Sequence, residues 1–213
     1  MKHNYSLALA WVALALFAQS AAGQAPPQAG FVLVNATGQK EKAKLTADGK
    51  DILAGGLESG GATSGIPLPV GLHQIQVSVP PLAPASVALT TALGTSPILV
   101  AYVEEVLDPQ SKATKRILRL TPLPQRPQTG KYLTSIVSFA SLQPISVQVN
   151  HQAVTLEYKK PFPAEGRRFL LAHDGKDVLE TEYSEKSSQF CIVFRDAENN
   201  LQAILVPDMV YTW

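Results

Sequence analysis

Cysteine is almost missing from this sequence, because Cys191 is the only one among 213 residues. No intrachain disulfide can form, even in an oxidising compartment. The fold must therefore be stabilised by apolar burial, and a chain of this length can build one large core or two small ones. Within an apolar run, residues 190–194, the cysteine is expected to be a free, buried and unreactive thiol.

An excess of charge of either sign is also missing. The chain has 18 lysine and arginine residues against 17 aspartate and glutamate residues, which gives a formal net charge of +1. No block of five like charges occurs in the sequence. These features argue against nucleic acid or an anionic membrane surface as the main partner.

Long apolar runs are scarce as well, and the longest lies near the N-terminus. Lys2 precedes an unbroken apolar run at residues 7–18, and small residues follow at 20–23. A membrane-spanning helix needs about 20 apolar residues, so a permanent membrane anchor is the weaker alternative. The pattern predicts a signal peptide at residues 1–23, a flexible segment at 24–30, and export to the periplasm or the extracellular space.

After the signal peptide, the sequence has no convincing apolar stripe with the helical period, and alternation with period two replaces it. Residues 72–79 alternate between apolar and polar, which predicts a half-buried strand. Residues 97–103 and 190–194 are apolar on both faces, as in a central strand that is covered on both sides. Asp-Gly pairs at 48–49 and 174–175 are typical of hairpin turns. The sequence therefore predicts an all-β sandwich fold.

The same order of segments occurs twice, on either side of a proline- and glutamine-rich stretch. In this alignment FVLVNATG corresponds to SIVSFASLQ, VGLHQIQVSV to EGRRFLLAHDG, and RILRLTPLP to LQAILVPD. We therefore expect two tandem β-sandwich domains, at residues 31–122 and 131–213, joined by a linker at 123–130 with minor contacts across it. One elongated sandwich is the alternative.

Residues 31–105 resemble a known class of exported bacterial repeat. The segments that carry the resemblance are FVLVNAT, LTADGKDILAGGLESGGATSGIPLPVGLHQIQV and SPILVAYV. They are similar to the class catalogued as domain of unknown function 4397, in which a V-x-N-A strand, an Asp-Gly hairpin, a glycine-rich stretch and a P-x-G-x-[HY]-x-[IV]-x-V strand follow one another. The resemblance implies a small Ig-like sandwich and supplies no catalytic residues. The second half lacks the glycine-rich stretch.

No catalytic constellation is visible in the sequence. His73, His151 and His173 each stand alone, without the spacing of a metal site, so we expect no metal and no cofactor. The glycine-rich residues 56–60 do not match a nucleophile elbow, and we expect a mobile hairpin or a strand-edge loop there. We predict that the protein is not an enzyme. The alternatives are a hydrolase whose site is assembled from distant residues, and an outer-membrane β-barrel.

One turn concentrates residues that could bind a partner. Four cations and one aromatic side chain bracket the turn PFPAEG, in which Glu165 is the only counter-charge: Lys159, Lys160, Phe162, Arg167 and Arg168. A protein or an anionic glycan of the cell envelope could dock there, whereas the alternative is a solvated turn whose charges protect a strand edge. The prediction is thus a non-catalytic exported envelope or surface protein, a binding or accessory β-sandwich module of unknown ligand.

Two further expectations concern single residues. Asn35 begins the sequon Asn-Ala-Thr, which we expect to be idle because its neighbours predict a strand. Trp213 is the only tryptophan outside the predicted signal peptide, which disfavours a lectin that stacks sugars on aromatic rings. Because large residues alternate at 209–213, we expect this tryptophan to lie partly buried in a last strand.

Overall fold

The computed structural model describes residues 28–123 and 131–208, and both ranges fold as β-structure. The first range contains eight strands: β1 Gln28–Ala36, β2 Lys44–Ala47, β3 Lys50–Asp51, β4 Ile66–Pro69, β5 Gly71–Ser78, β6 Ala85–Thr91, β7 Ile98–Leu107 and β8 Thr114–Leu123. The second range also contains eight: β9 Leu133–Ser138, β10 Ile145–Val149, β11 Gln152–Leu156, β12 Phe162–Glu165, β13 Arg168–His173, β14 Lys176–Glu182, β15 Ser188–Arg195 and β16 Leu201–Pro207. The all-β prediction is confirmed.

Each half forms two four-stranded sheets, and the strand order of the first half recurs in the second. The orders are β4-β1-β7-β8 and β3-β2-β5-β6 in the first half, and β12-β9-β15-β16 and β11-β10-β13-β14 in the second. One parallel pair occurs in each half, β1 with β7 and β9 with β15. The segments aligned in the sequence thus form strands at equivalent positions of their sheets.

The four sheets are stacked through three apolar cores. One core lies within the first half and includes Leu33, Ile75 and Leu99, and a second lies within the second half around Phe169 and Leu171. The third joins the halves through thirteen buried side chains, most of them on β1 and β7 of the first half and on β9 and β15 of the second. We refer to it as the middle core. The expectation of minor contacts between the halves is wrong.

Burial along the strands follows from this stacking. β5 lies in an outer sheet, and its residues alternate between buried and exposed. β7 and β15 lie in inner sheets with a core on each face, so residues 98–102 and 190–194 are entirely buried. The apolar residues on both faces of these runs predict strands that are covered on both sides, and this prediction is confirmed.

Asn35 fixes the glycine-rich segment to β1. Its side-chain nitrogen donates to the Leu57 carbonyl at 2.8 Å, and its side-chain oxygen accepts from the Thr37 hydroxyl at 2.7 Å. Its backbone also exchanges hydrogen bonds with Gly60 and Gly61. The segment is thus a strand-edge loop bonded to β1. Asn35 is fully buried, so the sequon is inaccessible in the folded protein.

Replacing Asn35 with alanine should destabilise the first half. The substitution leaves the Leu57 carbonyl and the Thr37 amide and hydroxyl without this partner, and we expect a loss of about 2–4 kcal/mol in the free energy of unfolding. Urea denaturation measures it. Asn35→Asp keeps the acceptor for Thr37, loses the donor to Leu57 and buries a carboxylate, so it should lose at least as much stability as Asn35→Ala. A loss below about 0.5 kcal/mol in Asn35→Ala, the size of an ordinary surface effect, would contradict this role.

Cys191 lies in β15 between two cores. It is fully buried, and desolvation raises the pKa of its thiol well above the usual value. We expect a thiol reagent to label the native protein at least about a thousandfold more slowly than the unfolded protein, because reaction requires opening of the fold. Time-resolved labelling followed by mass spectrometry measures both rates. Equal rates in native protein and in urea would show the thiol to be accessible.

Three sequence-based expectations lie outside the described residues. They are the signal peptide at residues 1–23, most of the linker at 123–130, and the last strand containing Trp213. The segment 24–30 was expected to be flexible, but its described residues, 28–30, belong to β1 and Ala29 is fully buried, so that expectation is wrong for them. Within the part of the chain that the structure describes, no helix is long and apolar enough to cross a bilayer.

Candidate functional site

The four cations expected to form a binding site are each engaged by a carboxylate. The pairs are Lys159 with Glu104 at 3.6 Å, Lys160 with Glu157 at 2.9 Å, Arg167 with Glu182 at 3.1 Å, and Arg168 with Glu180. Glu165, expected to be their only counter-charge, instead pairs with Lys131 at 3.5 Å. The expectation that Glu165 is the only counter-charge is wrong. Glu157 lies close by in the sequence, and pairing of β13 with β14 and packing of the two halves supply the other carboxylates from distant parts of the sequence.

Phe162 and the cations therefore do not form one surface. Phe162 is half-buried and packs against the core of the second half. Arg167 also donates to the Tyr183 carbonyl at 3.3 Å, which holds it along its own sheet. Because every cation of this turn has a partner, the turn offers little uncompensated positive charge to an anion.

Lys159 points toward the first half instead of solvent. Its ammonium nitrogen lies 4.6 Å from the ring centroid of Tyr158 and 4.9 Å from that of Tyr102. Tyr102 belongs to β7, whereas Lys159 follows β11, so this cation–π contact bridges the halves. The contact lies at one end of the middle core.

An aromatic cluster closes the middle core at this end. The Tyr102 and Phe139 ring centroids are 4.5 Å apart, and Tyr158 stands edge-on to both at 6.4 and 6.5 Å. Such tilted and edge-to-face pairs add a directional contribution to apolar burial. The cluster thus fixes the relative position of β7 and β9 where the pairing of β7 with β1 and that of β9 with β15 end.

Glu104 lies directly beyond this cluster, with a side chain that is only 15% exposed. Its carboxylate accepts hydrogen bonds from the Tyr158 hydroxyl at 2.7 Å and from Arg119 Nε at 2.8 Å. Desolvation by itself would raise the pKa of Glu104, but the hydrogen bonds from Tyr158 and Arg119 and the charge of Lys159 outweigh it and lower the pKa. Burial, together with the same hydrogen bond, raises the pKa of Tyr158. The carboxylate is therefore charged and neutralised in place.

A cleft of about 860 Å³ opens above this network, between the two halves. Its volume lies within the range of sites that bind small molecules or short segments. Glu104, Phe139 and Tyr158 form its floor. Leu107 at one side and Leu142 at the other are 60% and 50% exposed, so each side of the cleft carries an apolar group that is open to solvent.

The polar side chains at the turn that borders the cleft are held by local hydrogen bonds. No histidine or cysteine occurs among the residues that line the cleft. Arg195 donates to the Asn199 carbonyl at 2.8 Å and Asp196 accepts from Gln202 at 2.9 Å, so both are held by their own turn. Across the described ranges, no group of three or more histidine, cysteine or acidic residues is placed to hold a metal ion.

His73 lies away from this cleft, in the outer sheet of the first half. Its ring nitrogens lie 2.7 Å from an Asp48 carboxylate oxygen and 2.8 Å from the Pro69 carbonyl oxygen. Two acceptors satisfy an imidazolium, which donates from both nitrogens. The hydrogen bond with Asp48 and then that with Pro69 raise the pKa of His73, and the bonds with His73 and the Gln74 amide lower the pKa of Asp48.

This pair should make stability depend on pH. Because the folded pKa of His73 is raised, its contribution is complete below about pH 6.5 and is lost as the pH rises through the folded pKa. The contribution of Asp48, whose pKa is lowered, is complete above about pH 3.9 and is lost in stronger acid. We expect His73→Gln to be most destabilising near pH 5–6 and least destabilising near pH 9, as measured by urea denaturation at each pH. His151→Gln, at an exposed turn, is the control, and equal losses for His73→Gln at both pH values would refute the pair's role.

Comparisons with protein-family models and with curated proteins give no match. The resemblance of residues 31–105 to the exported repeat class therefore stays a prediction.

Sequence analysis did not single out the residues of the cleft. Glu104, Phe139 and Tyr158 line it, and they come from three separate segments of the sequence that meet, together with the buried Tyr102, only where the halves pack. One signal was present, since the apolar run of β7 is followed at once by two glutamates, Glu104 and Glu105.

Proposed function

We propose that this protein is a non-catalytic exported protein of the cell envelope or surface, which binds a partner in the cleft between its two sandwiches. The observation that carries the proposal is the floor of the cleft. Tyr102, Phe139 and Tyr158 join the halves there, and Glu104 is neutralised by fixed partners. A preorganised floor avoids part of the entropic cost of binding.

The chemistry of the cleft supports a protein partner over an anionic glycan. Leu107 and Leu142 place apolar surface at its sides. The lining carries three acidic residues, Glu104, Glu105 and Asp196, beside its two arginines, which disfavours an anion. Exposed apolar groups beside a concave surface are typical of protein interaction sites. Export is supported by the charged, apolar and small-residue segments at residues 1–23.

Export is tested with a reporter enzyme that is active only outside the cytoplasm. The full chain fused ahead of this reporter should give activity in bacterial cells, and removal of residues 1–23 should abolish it. Activity that survives the deletion, or that is missing from both fusions, would contradict export.

Binding in the cleft is tested by site-specific photo-crosslinking in the source cells. A photoreactive residue at position 142 or 107 should give the same defined crosslinked product, identified by mass spectrometry. Position 72 is the matched control, because Leu72 is also an exposed apolar residue but lies on the outer sheet. Products of equal yield at all three positions, or no product at 142 and 107, would count against a partner in the cleft.

A further inference from the structure

β7 continues well past the end of the strand beside it. Its parallel pairing with β1 ends where Ala36 lies opposite Tyr102, whereas its pairing with β8 continues to Leu107 opposite Thr114. Residues 103–107 therefore have a strand on one side, and among the described residues no strand pairs with their other side. That side opens into the cleft, which Val103, Glu105 and Leu107 help to line.

The backbone groups on this open side can be assigned from two hydrogen bonds. The Asp108 amide donates to the Ala113 carbonyl within the β7–β8 hairpin, and the Val32 amide donates to the Pro97 carbonyl on the opposite side of the strand. Because the direction of hydrogen bonding alternates along a strand, even-numbered residues of β7 face β8 and odd-numbered residues face the side of β1. The amide and carbonyl groups of Glu105 and Leu107 thus point into the cleft.

The second half shows that the fold does not require this extension. β15, the equivalent of β7, pairs with β9 up to Val193 and ends two residues later at Arg195. The hairpin of the first half has ten cross-strand pairs, against seven in the second half. Local hydrogen bonds also hold the tip of the β7–β8 hairpin. Hydrogen bonds from Lys115 and from the Gln110 and Ser111 amides lower the pKa of Asp108 to about 2.

We propose that an extended peptide segment of the partner protein adds to β7 as a strand along residues 103–107. The inference rests on the proposed function and names the partner's chemistry. An open strand edge binds the backbone of an extended peptide through hydrogen bonds, and the pockets beside the edge select every second side chain of that peptide. At about 3.3 Å per residue, the open edge accommodates about five residues of the partner.

The charges of the cleft define the segment further. Glu104 is neutralised by Arg119 and Lys159. Glu105 and Arg116 are opposite one another in the β7–β8 register, so their charges compensate. An uncharged segment therefore fits best, with apolar side chains at alternate positions directed toward Phe139 and Leu142 on the wall formed by the second half.

Amide hydrogen exchange tests the open edge in the full chain without any ligand. The Glu105 and Leu107 amides should exchange at least about a hundredfold faster than those of Glu104 and Val106, which face β8. Protection of Glu105 and Leu107 that increases with protein concentration would show that a second copy covers the edge, and would overturn the proposal. Protection independent of concentration would overturn it too.

Strand addition itself is tested with a synthetic probe. Acetyl-Thr-Val-Thr-Val-Thr-amide should protect the Glu105 and Leu107 amides and shift their NMR resonances. Two control peptides carry the same side chains. One is N-methylated at the odd-numbered residues and the other at the even-numbered residues, so each lacks the backbone donors on one of its two edges. At least one of these control peptides should bind about tenfold more weakly, the equivalent of about 1.4 kcal/mol for the lost hydrogen bonding.

Variants of the protein supply the reciprocal test. Glu105→Pro removes an amide that faces the cleft, at a position where an edge tolerates proline, together with the carboxylate, and should weaken peptide binding about tenfold. Glu105→Gln keeps the amide and removes only the charge, so it should bind the peptide more tightly than Glu105→Pro, and the difference between the two variants measures the backbone contribution. Circular dichroism and a melting curve show whether Glu105→Pro folds. If it does not, Leu107→Pro provides a second variant of the same edge.

The outcomes separate this inference from the proposed function. Equal binding of the peptide and both N-methylated forms would overturn strand addition while leaving a binding cleft. No binding of the peptide at millimolar concentration would also overturn the inference, and the photo-crosslinking experiment then decides independently whether the cleft binds a partner.

Discussion

Fragments 24–124 and 129–213, produced separately, are each expected to aggregate or to expose a large apolar surface, and to recover a native structure when they are mixed. The sequence by itself had predicted two soluble, cooperative units. The middle core changes this expectation, because separation uncovers thirteen side chains that the structure buries, including Val34, Val100 and Ile192. Each such side chain contributes about 1.5–3 kcal/mol when it is fully buried.

The measurement combines dye binding with light scattering. Each fragment alone should bind a dye specific for exposed apolar surface, and an equimolar mixture should lose that signal and elute as a one-to-one complex. A matched pair carrying Ile192→Asp in the second fragment should fail to assemble, because a charge would be buried without a partner. Monomeric, dye-free fragments that unfold cooperatively and do not associate would show that the middle core is dispensable.

Gly38→Ala is expected to destabilise the whole chain by about 3–5 kcal/mol. Gly38 has a φ of +63°, and a Cβ atom there would lie 2.1 Å from the carbonyl oxygen of Arg195 in the second half. The left-handed conformation costs alanine about 1–2 kcal/mol, and backbone atoms of both halves must move to relieve the overlap, which adds the cost of overpacking. Urea denaturation of the full chain measures the loss.

Gly55→Ala provides a control that isolates the contact between the halves. Gly55 also has a positive φ, +81°, but a Cβ atom there would meet nothing within 4 Å. We expect this variant to lose only about 1–2 kcal/mol, the conformational cost by itself. Equal losses in the two variants would show that Gly38 is required for its backbone conformation alone and that its approach to Arg195 can relax without cost.

Most of the fold was predictable because strand formation depends on local pattern. The alternation in residues 72–79 and the Asp-Gly pair at 48–49 specify a strand and a turn by themselves, and the structure places β5 and a left-handed Asp48 and Gly49 there. The short strand β12 was less visible. It consists of Phe162–Glu165, and its proline interrupts the pattern expected of a strand, which edge positions tolerate.

The candidate site was not predictable in the same way. The turn at residues 159–168 looked like a cationic surface because three of its four carboxylate partners are distant in sequence, the exception being Glu157, the partner of Lys160. Glu180 and Glu182 reach it through the β13–β14 register, and Glu104 through packing between the halves. A local excess of charge in a sequence does not establish an excess in space, since long-range pairing can neutralise it.

The sequence alone determined the all-β class, the repeated order of segments, and which strands are covered on both faces, because side-chain alternation and turn chemistry are properties of neighbouring residues. Only the tertiary structure decided what covers them. Apolar faces on β1, β7, β9 and β15 require burial but do not specify a partner, and the structure pairs them with each other in the middle core. The cleft follows from that choice, because it lies between the two halves. The open edge of β7 lies in the cleft because β7 extends past the end of β1, its neighbour in the same sheet.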